Sequence, residues 1–96
     1  MSHLSAQEPV ETNNVETIVR NVLRDVLSLN PKTASALTDD SGLFGELPEL
    51  DSMAVAGLLT ELEDRLGIII DDDEIDGELF ATFGALVRFA RAKVGD

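Results

Sequence analysis

The sequence predicts an all-α fold: a small four-helix bundle of three main helices and one short helix, with a long loop between the first and second helices. Three observations carry this. Apolar residues recur at i, i+3, i+4 and i+7 in three separate stretches, the spacing of an amphipathic helix. The apolar content is 44% and only 4% of the chain is aromatic; a Leu, Val, Ile and Ala mixture of this kind suits packed helices. No two stretches read as paired strands, and there is no internal repeat. Ninety-six residues fit one domain, and a chain this short buries only about 60% of its unfolded surface.

The expected organisation is a flexible tail over residues 1–13 and a helical domain over residues 14–96. The tail has no periodicity and contains His3, Glu8 and Pro9. The first helix starts near Asn13 or Asn14, where Asn13 and Glu16 have capping-box spacing. Its stripe is Val15, Ile18, Val19, Val22, Leu23, Val26 and Leu27. Glu16, Arg20 and Arg24 lie on another face at i, i+4 spacing and can pair. Asn30-Pro31 ends the helix, because the residue before proline avoids helical angles.

Residues 31–50 form the long connection. Loops of this length in compact domains are functional or disordered; the apolar residues spread through this one argue for order, with Leu43 and Phe44 pinning it to the helices. A short helical turn fits Thr33 to Leu37. The second main helix runs from Ser52 to Leu66, burying Val55, Leu58, Leu59, Leu62 and Leu66 with help from Met53 and Ala56. Glu61, Glu63, Asp64 and Arg65 point outward. Gly57 weakens this helix and Gly67 stops it. Ile68 to Ile70 read as an extended linker lying on the core. Asp71 to Glu78 fits one or two helical turns anchored by Ile75. Thr82 caps the last helix, with the stripe Phe83, Leu86, Val87, Ala90 and Val94. Arg88, Arg91 and Lys93 sit toward its end, where the dipole favours cations.

Charge is polarised. The chain carries a net −12, and between Asp39 and Glu78 fourteen acids face one base, Arg65. Such a field repels nucleic acid and anionic membranes and steers basic protein surfaces. The apolar runs are too short to cross a bilayer. Met1 to Asn14 lacks the basic start and apolar block of a signal peptide, so a cytoplasmic monomer is expected. A start methionine on a short chain points to a free-standing unit.

Chemistry narrows by elimination. No cysteine is present, which removes disulfides, thiolate zinc sites and a protein thiol nucleophile. The one histidine, His3, lies in the tail, against Ser-His-Asp catalysis or a histidine-rich metal centre. There is no glycine-rich nucleotide loop, and the carboxylates lie on solvated runs rather than in a desolvated pocket. Asp72-x-Glu74-x-Asp76-Gly77 resembles the start of a calcium loop, but Phe83 stands where the bidentate glutamate belongs. No catalytic residue and no metal site is expected. What remains is Ser52. Asp51 fills the capping position, leaving the Ser52 hydroxyl free at the first helical residue. A phosphodiester there would meet unpaired backbone N–H groups and the positive end of the dipole.

In order, a helix, a loop with Leu43-Phe44, Leu50-Asp51-Ser52-Met53 opening an acidic helix, a short helix and a last helix resemble the acyl carrier protein family over residues 14–94. That family's hallmark is an Asp-Ser-Leu triplet whose serine takes a 4′-phosphopantetheine arm from coenzyme A. The resemblance implies that Ser52 is the attachment residue. It also implies that Asp51 helps a phosphopantetheinyl transferase hold its metal ion, and that Met53 replaces the usual leucine as a near-isostere that still packs. Glu63 and Asp64 match acids that partner enzymes read, and Glu61, Glu63, Asp64 and Met53 become the candidate partner face for basic docking surfaces. The arm's thiol would hold acyl groups as thioesters, with part of a chain sheltered among Val55, Leu59, Leu62, Ile70 and Ile75 or with those residues forming plain core. Gly57, where fatty-acid carriers usually have an acid, and Pro48-Glu49 before Leu50 depart from the pattern and point to a specialised discrete carrier. Fatty acyl, hydroxyacyl, polyketide, aminoacyl or peptidyl, and D-alanyl cargo share this outline. Two readings of other classes stand beside it: an unmodified acidic interaction module, and a calcium-binding acidic domain.

Overall fold

The computed structural model describes residues 12–95, with the backbone alone for residues 12–14. Its elements are α1 (Thr12–Leu27), α2 (Pro31–Ala36), α3 (Ser52–Leu66), a 3₁₀ turn (Asp72–Glu74) and α4 (Phe83–Gly95). The described residues are therefore helical with no strand, as the apolar spacing predicts. The short helix of one or two turns expected within Asp71 to Glu78 is that single 3₁₀ turn. The fourth α-helix is α2, at the start of the long connection.

The α1 helix is the spine and packs against α2, α3 and α4. Val15, Val19, Val22 and Leu23 are fully buried, and they meet Leu58, Leu62 and Leu66 of α3 and Phe83, Leu86, Val87 and Ala90 of α4 in one cluster. Thr12 and Asn13 already belong to α1, so the helix starts ahead of the expected boundary; the rest of the expected tail and the Asn13 side chain lie outside what is described. The helix ends at Leu27, three residues before Asn30-Pro31, because Ser28 turns into the left-handed region with φ 55°. Proline then has a different job. Pro31 opens α2, where its missing N–H is no loss, and the Asn30 side chain accepts the Lys32 N–H at 2.8 Å.

Arg20 fastens α2 to the spine. Its Nη1 donates to the carbonyls of Ala34 (2.7 Å), which also accepts the Leu37 N–H, and of Leu37 (2.9 Å) at the end of α2. Its Nη2 donates to Glu16 at 2.8 Å, and the guanidinium stacks 4.8 Å from the centre of the Phe83 ring. Arg24 pairs instead with Asp25. A bridge from Asp25 to Arg65 at 3.0 Å joins α1 to α3.

The connection from Leu37 to Leu50 is ordered by burial of Leu37, Leu43 and Leu50 and by backbone pairing with the approach to α4. Leu43 N–H donates to Ala81 O (3.2 Å), Phe44 N–H to Phe80 O (3.0 Å), Phe83 N–H to Ser41 O (2.8 Å) and Gly84 N–H to Asp39 O (3.0 Å). Gly84 is required here, since a Cβ would sit 2.9 Å from the Asp39 carbonyl oxygen. Leu43 pins the loop as expected; Phe44 stays 53% exposed. Thr82 caps α4 as expected, its hydroxyl accepting the Ala85 N–H at 3.0 Å.

Gly67 ends α3 at φ 66°, its N–H donating to Glu63 O at 2.9 Å. Because nothing crowds a side chain at Gly67, only the backbone angle opposes one. Gly57 is the reverse case: it is helical, and a Cβ would lie 3.6 Å from Val26 Cγ1, an ordinary contact. Gly57→Ala should raise unfolding free energy by up to about 1 kcal/mol, while Gly67→Ala should lower it by about 1–2 kcal/mol; urea unfolding of both variants checks the opposite signs.

Hydrogen bonds from Arg24 and then Arg65 hold the Asp25 carboxyl below its ordinary range. A carboxyl depressed in the folded state adds stability above its unfolded pKa, and that stability is lost as pH falls through the folded value. The difference in stability between the wild type and Asp25→Asn should therefore be full at neutral pH and close as pH falls below 3.8, the ordinary value. Urea titrations across that range test this; a difference that grows on acidification contradicts it.

Candidate functional site

At the start of α3 the backbone is extended at Asp51 and helical from Ser52. The Asp51 carboxylate accepts the Ala54 N–H at 2.9 Å, and the Asp51 carbonyl accepts the Val55 N–H at 2.9 Å. This is the capping arrangement that the Asp-Ser order predicts. It leaves the Ser52 hydroxyl exposed. Among the described residues, no hydrogen bond is made by that hydroxyl or by the backbone N–H groups of Ser52 and Met53. A phosphoester on Ser52 Oγ would have two unpaired donors and the positive end of a fifteen-residue helix beside it. The residues present fit an attached phosphate-bearing arm.

Beside Ser52 opens a groove of about 280 Å³, walled by Phe44, Val55, Ile75 and Phe80 with Asp76 and Gly77 on its rim. It forms where the long loop, the first turns of α3 and the segment after the 3₁₀ turn meet. Val55 and Ile75 belong to the set expected to shelter cargo. Leu62 and Ile70 of that set are buried core, and Leu59 packs partly against that core. The missing wall is the pair Phe44 and Phe80, thirty-six positions apart in sequence and brought together by the loop's backbone pairing. Two of the chain's four phenylalanines line the groove; in a chain this poor in aromatics, that scarcity is the signal that could have singled them out.

The expected partner face divides. Asp64 is exposed and unpaired among the described residues. Glu61 is tied to Arg65 at 3.0 Å. Glu63 does not point outward: its carboxylate accepts the Ile70 N–H at 2.8 Å and braces the Ile68–Ile70 linker against α3. In that extended linker Ile70 is buried, Ile68 half-buried and Ile69 76% exposed. Met53 does not pack either; it is 85% exposed, and Ala56 is exposed with it. At about 100° per residue Met53 falls on the side of α3 opposite Leu62, and Ala56 lies about 120° round from Leu62, on the flank of the buried stripe.

The acidic run that resembles a calcium loop is engaged internally. Glu74 meets Lys93 at 3.0 Å, Asp76 accepts the Leu79 N–H at 3.1 Å, and among the described residues no three acids or histidines converge on a common point. No described helix is long and apolar enough to cross a membrane.

Residues 17–90 match the family model described as "Phosphopantetheine attachment site". Among solved structures, the chain is similar to a holo acyl carrier protein from Nitrosomonas europaea determined by solution NMR, with a TM-score of 0.77 and 44% sequence identity over 85% of this chain and 96% of that one. No curated protein matches the chain.

The capping geometry predicts a pair of outcomes. Asp51→Ala should lower unfolding free energy by about 1 kcal/mol, and Asp51→Asn, which caps equally well, should change it by only a few tenths. Equal losses in urea unfolding would show that the charge rather than the hydrogen bond matters.

Proposed function

The chain belongs to the phosphopantetheine-attachment family and is a non-enzymatic carrier that bears a covalent 4′-phosphopantetheine arm, and we propose that the arm is joined to Ser52 and that the cargo it holds is an acyl chain. The exposed hydroxyl beside two unpaired N–H groups is the observation that carries the first half of this reading. When attached, the arm supplies a thiol that holds cargo as a thioester, which suits a chain with no cysteine of its own.

In the attachment step Ser52 Oγ loses its proton to the transferase and displaces the adenosine bisphosphate part of coenzyme A, forming one phosphoester bond as the pyrophosphate linkage breaks. Asp51 stands next to that oxygen, placed to share a divalent ion with the transferase. Its carboxylate can do so while keeping the helix capped, because Oδ1 alone accepts the Ala54 N–H. The phosphoester then sits against the free N–H groups, stabilised by the helix dipole.

The acyl reading rests on the groove. Four apolar side chains, Phe44, Val55, Ile75 and Phe80, wall a space that begins at Ser52. Burying a chain's methylene groups there is favourable by about 0.8 kcal/mol each, whereas an aminoacyl ammonium would lose hydration against the same walls. Partner enzymes with basic surfaces approach along the exposed side of α3, where Met53 lies beside Ser52 and Asp64 lies at the far end. Glu61 and Glu63, held by Arg65 and the Ile70 N–H, contribute less.

Incubation with a broad-specificity phosphopantetheinyl transferase, coenzyme A and magnesium should add the mass of one arm to the wild type and nothing to Ser52→Ala, with unchanged helical circular dichroism. A gain in Ser52→Ala would place the arm elsewhere. No gain in either would favour the unmodified interaction module.

A further inference from the structure

The two sides of the groove are fastened differently. The Phe44 and Phe80 wall is tied across the fold by backbone bonds: Phe44 N–H bonds Phe80 O at 3.0 Å and Leu43 N–H bonds Ala81 O at 3.2 Å. The opposite lip, Ile75 to Gly77, follows the 3₁₀ turn. The backbone bonds of this segment are local: Glu74 N–H to Asp71 O (2.9 Å), Ile75 N–H to Asp72 O (3.1 Å) and Leu79 N–H to Asp76 O (3.2 Å). Among the described residues, one polar link joins residues 71–77 to another helix. The Lys93 ammonium, in the last turn of α4, sits 3.0 Å from Glu74 Oε1 and 3.0 Å from Oε2. Glu74 Oε1 also accepts the Asp71 N–H at 3.2 Å, so the same carboxylate closes the turn and ties it down. The next residue in the chain is Ile75, a wall of the groove.

We propose that Glu74 and Lys93 form a latch that holds the Ile75–Gly77 lip over cargo lying beside Ser52, and that this pair sets how well an apolar chain is shielded from water. The proposal rests on the carrier reading above. Both side chains are partly shielded, Lys93 25% and Glu74 33% exposed. An ion pair of that kind biases a local open–closed equilibrium by roughly two- to fivefold. The consequence depends on cargo length: a chain long enough to enter the groove gains or loses protection with the latch, and a two-carbon cargo that stays outside does not. Glu74 and Lys93 are positioning residues, since neither lines the groove.

The test uses the full chain loaded by a broad-specificity transferase with octanoyl-coenzyme A or acetyl-coenzyme A. Release is followed by intact mass in mild base, where hydroxide adds to the thioester carbonyl, the C–S bond breaks, and carboxylate and thiolate result. In the wild type octanoyl should leave more slowly than acetyl. Glu74→Gln and Lys93→Met should each speed octanoyl release roughly two- to fivefold and leave acetyl release unchanged, and Lys93→Arg should restore protection. A second readout needs no arm. In the unmodified protein, amide exchange at Ile75 and Leu79 should quicken by a similar factor in Lys93→Met, while Leu58 and Leu62 in α3 stay as in the wild type. Unchanged octanoyl release and unchanged lip exchange overturn the latch. So does equal acceleration of both cargoes together with α3 exchange, which is global loosening. A wild type that accepts neither arm overturns the carrier reading itself, and the latch with it; one that loads but shows no difference between variants overturns the latch alone.

Discussion

Asp51 Oδ1 accepts the Ala54 N–H at 2.9 Å, and the position of that bond decides which residue becomes the first of α3. Were Ser52 the cap, its hydroxyl would be turned inward to a backbone donor and would be lost to chemistry. With the acid one position earlier, the serine is helical, exposed and unengaged, and the two donors in front of it stay open. The same register sends Leu58, Leu62 and Leu66 into the core and Met53 to the opposite side. One side-chain bond thus sets both the packing of the helix and the presentation of its first hydroxyl.

Around that point the molecule divides into a rigid part and a lightly held part. The spine α1, with Val19, Val22 and Leu23 fully buried, holds α3 and α4 by apolar contact and holds α2 through the Arg20 fan of hydrogen bonds. The long loop is stitched by backbone bonds to the approach of α4. From Asp71 to Gly77, by contrast, the chain relies on its own turn, the partial burial of Ile75 and one ion pair. That is also where much of the acidic charge lies. A segment that repels itself and has little buried surface is the natural place for local opening, and it borders the groove beside Ser52.

Much of the fold was legible in sequence because its determinants are local. The stripes of α1, α3 and α4 follow from helical spacing, and the Asp51, Gly67 and Thr82 caps from residue type at the right offset. The position of Ser52 followed from the same rule. Met53 could have been placed outward by extending that spacing to the first turn of α3, where it opposes the buried stripe. What spacing cannot give is a contact between distant segments. Ser28 ends α1 through a left-handed backbone turn that no proline or glycine announces. Glu63 reaches a backbone N–H seven residues on, Glu74 meets Lys93 nineteen residues on, and Phe44 comes beside Phe80 only because the loop pairs with the α4 approach. The groove belongs to this second class, so sequence could name Val55 and Ile75 but not the aromatic wall.

The central claim is that an anion attached at Ser52 is received by the open start of α3. Amide chemical shifts of the nitrogen-15-labelled protein, before and after arm attachment, test it most directly. The account predicts that the largest changes fall on the Ser52 and Met53 amides, with their protons moving downfield as they bond the phosphate, and that the α1 core amides of Val19 and Val22 hardly move. An attached arm that leaves the Ser52 and Met53 amides where they were would contradict it.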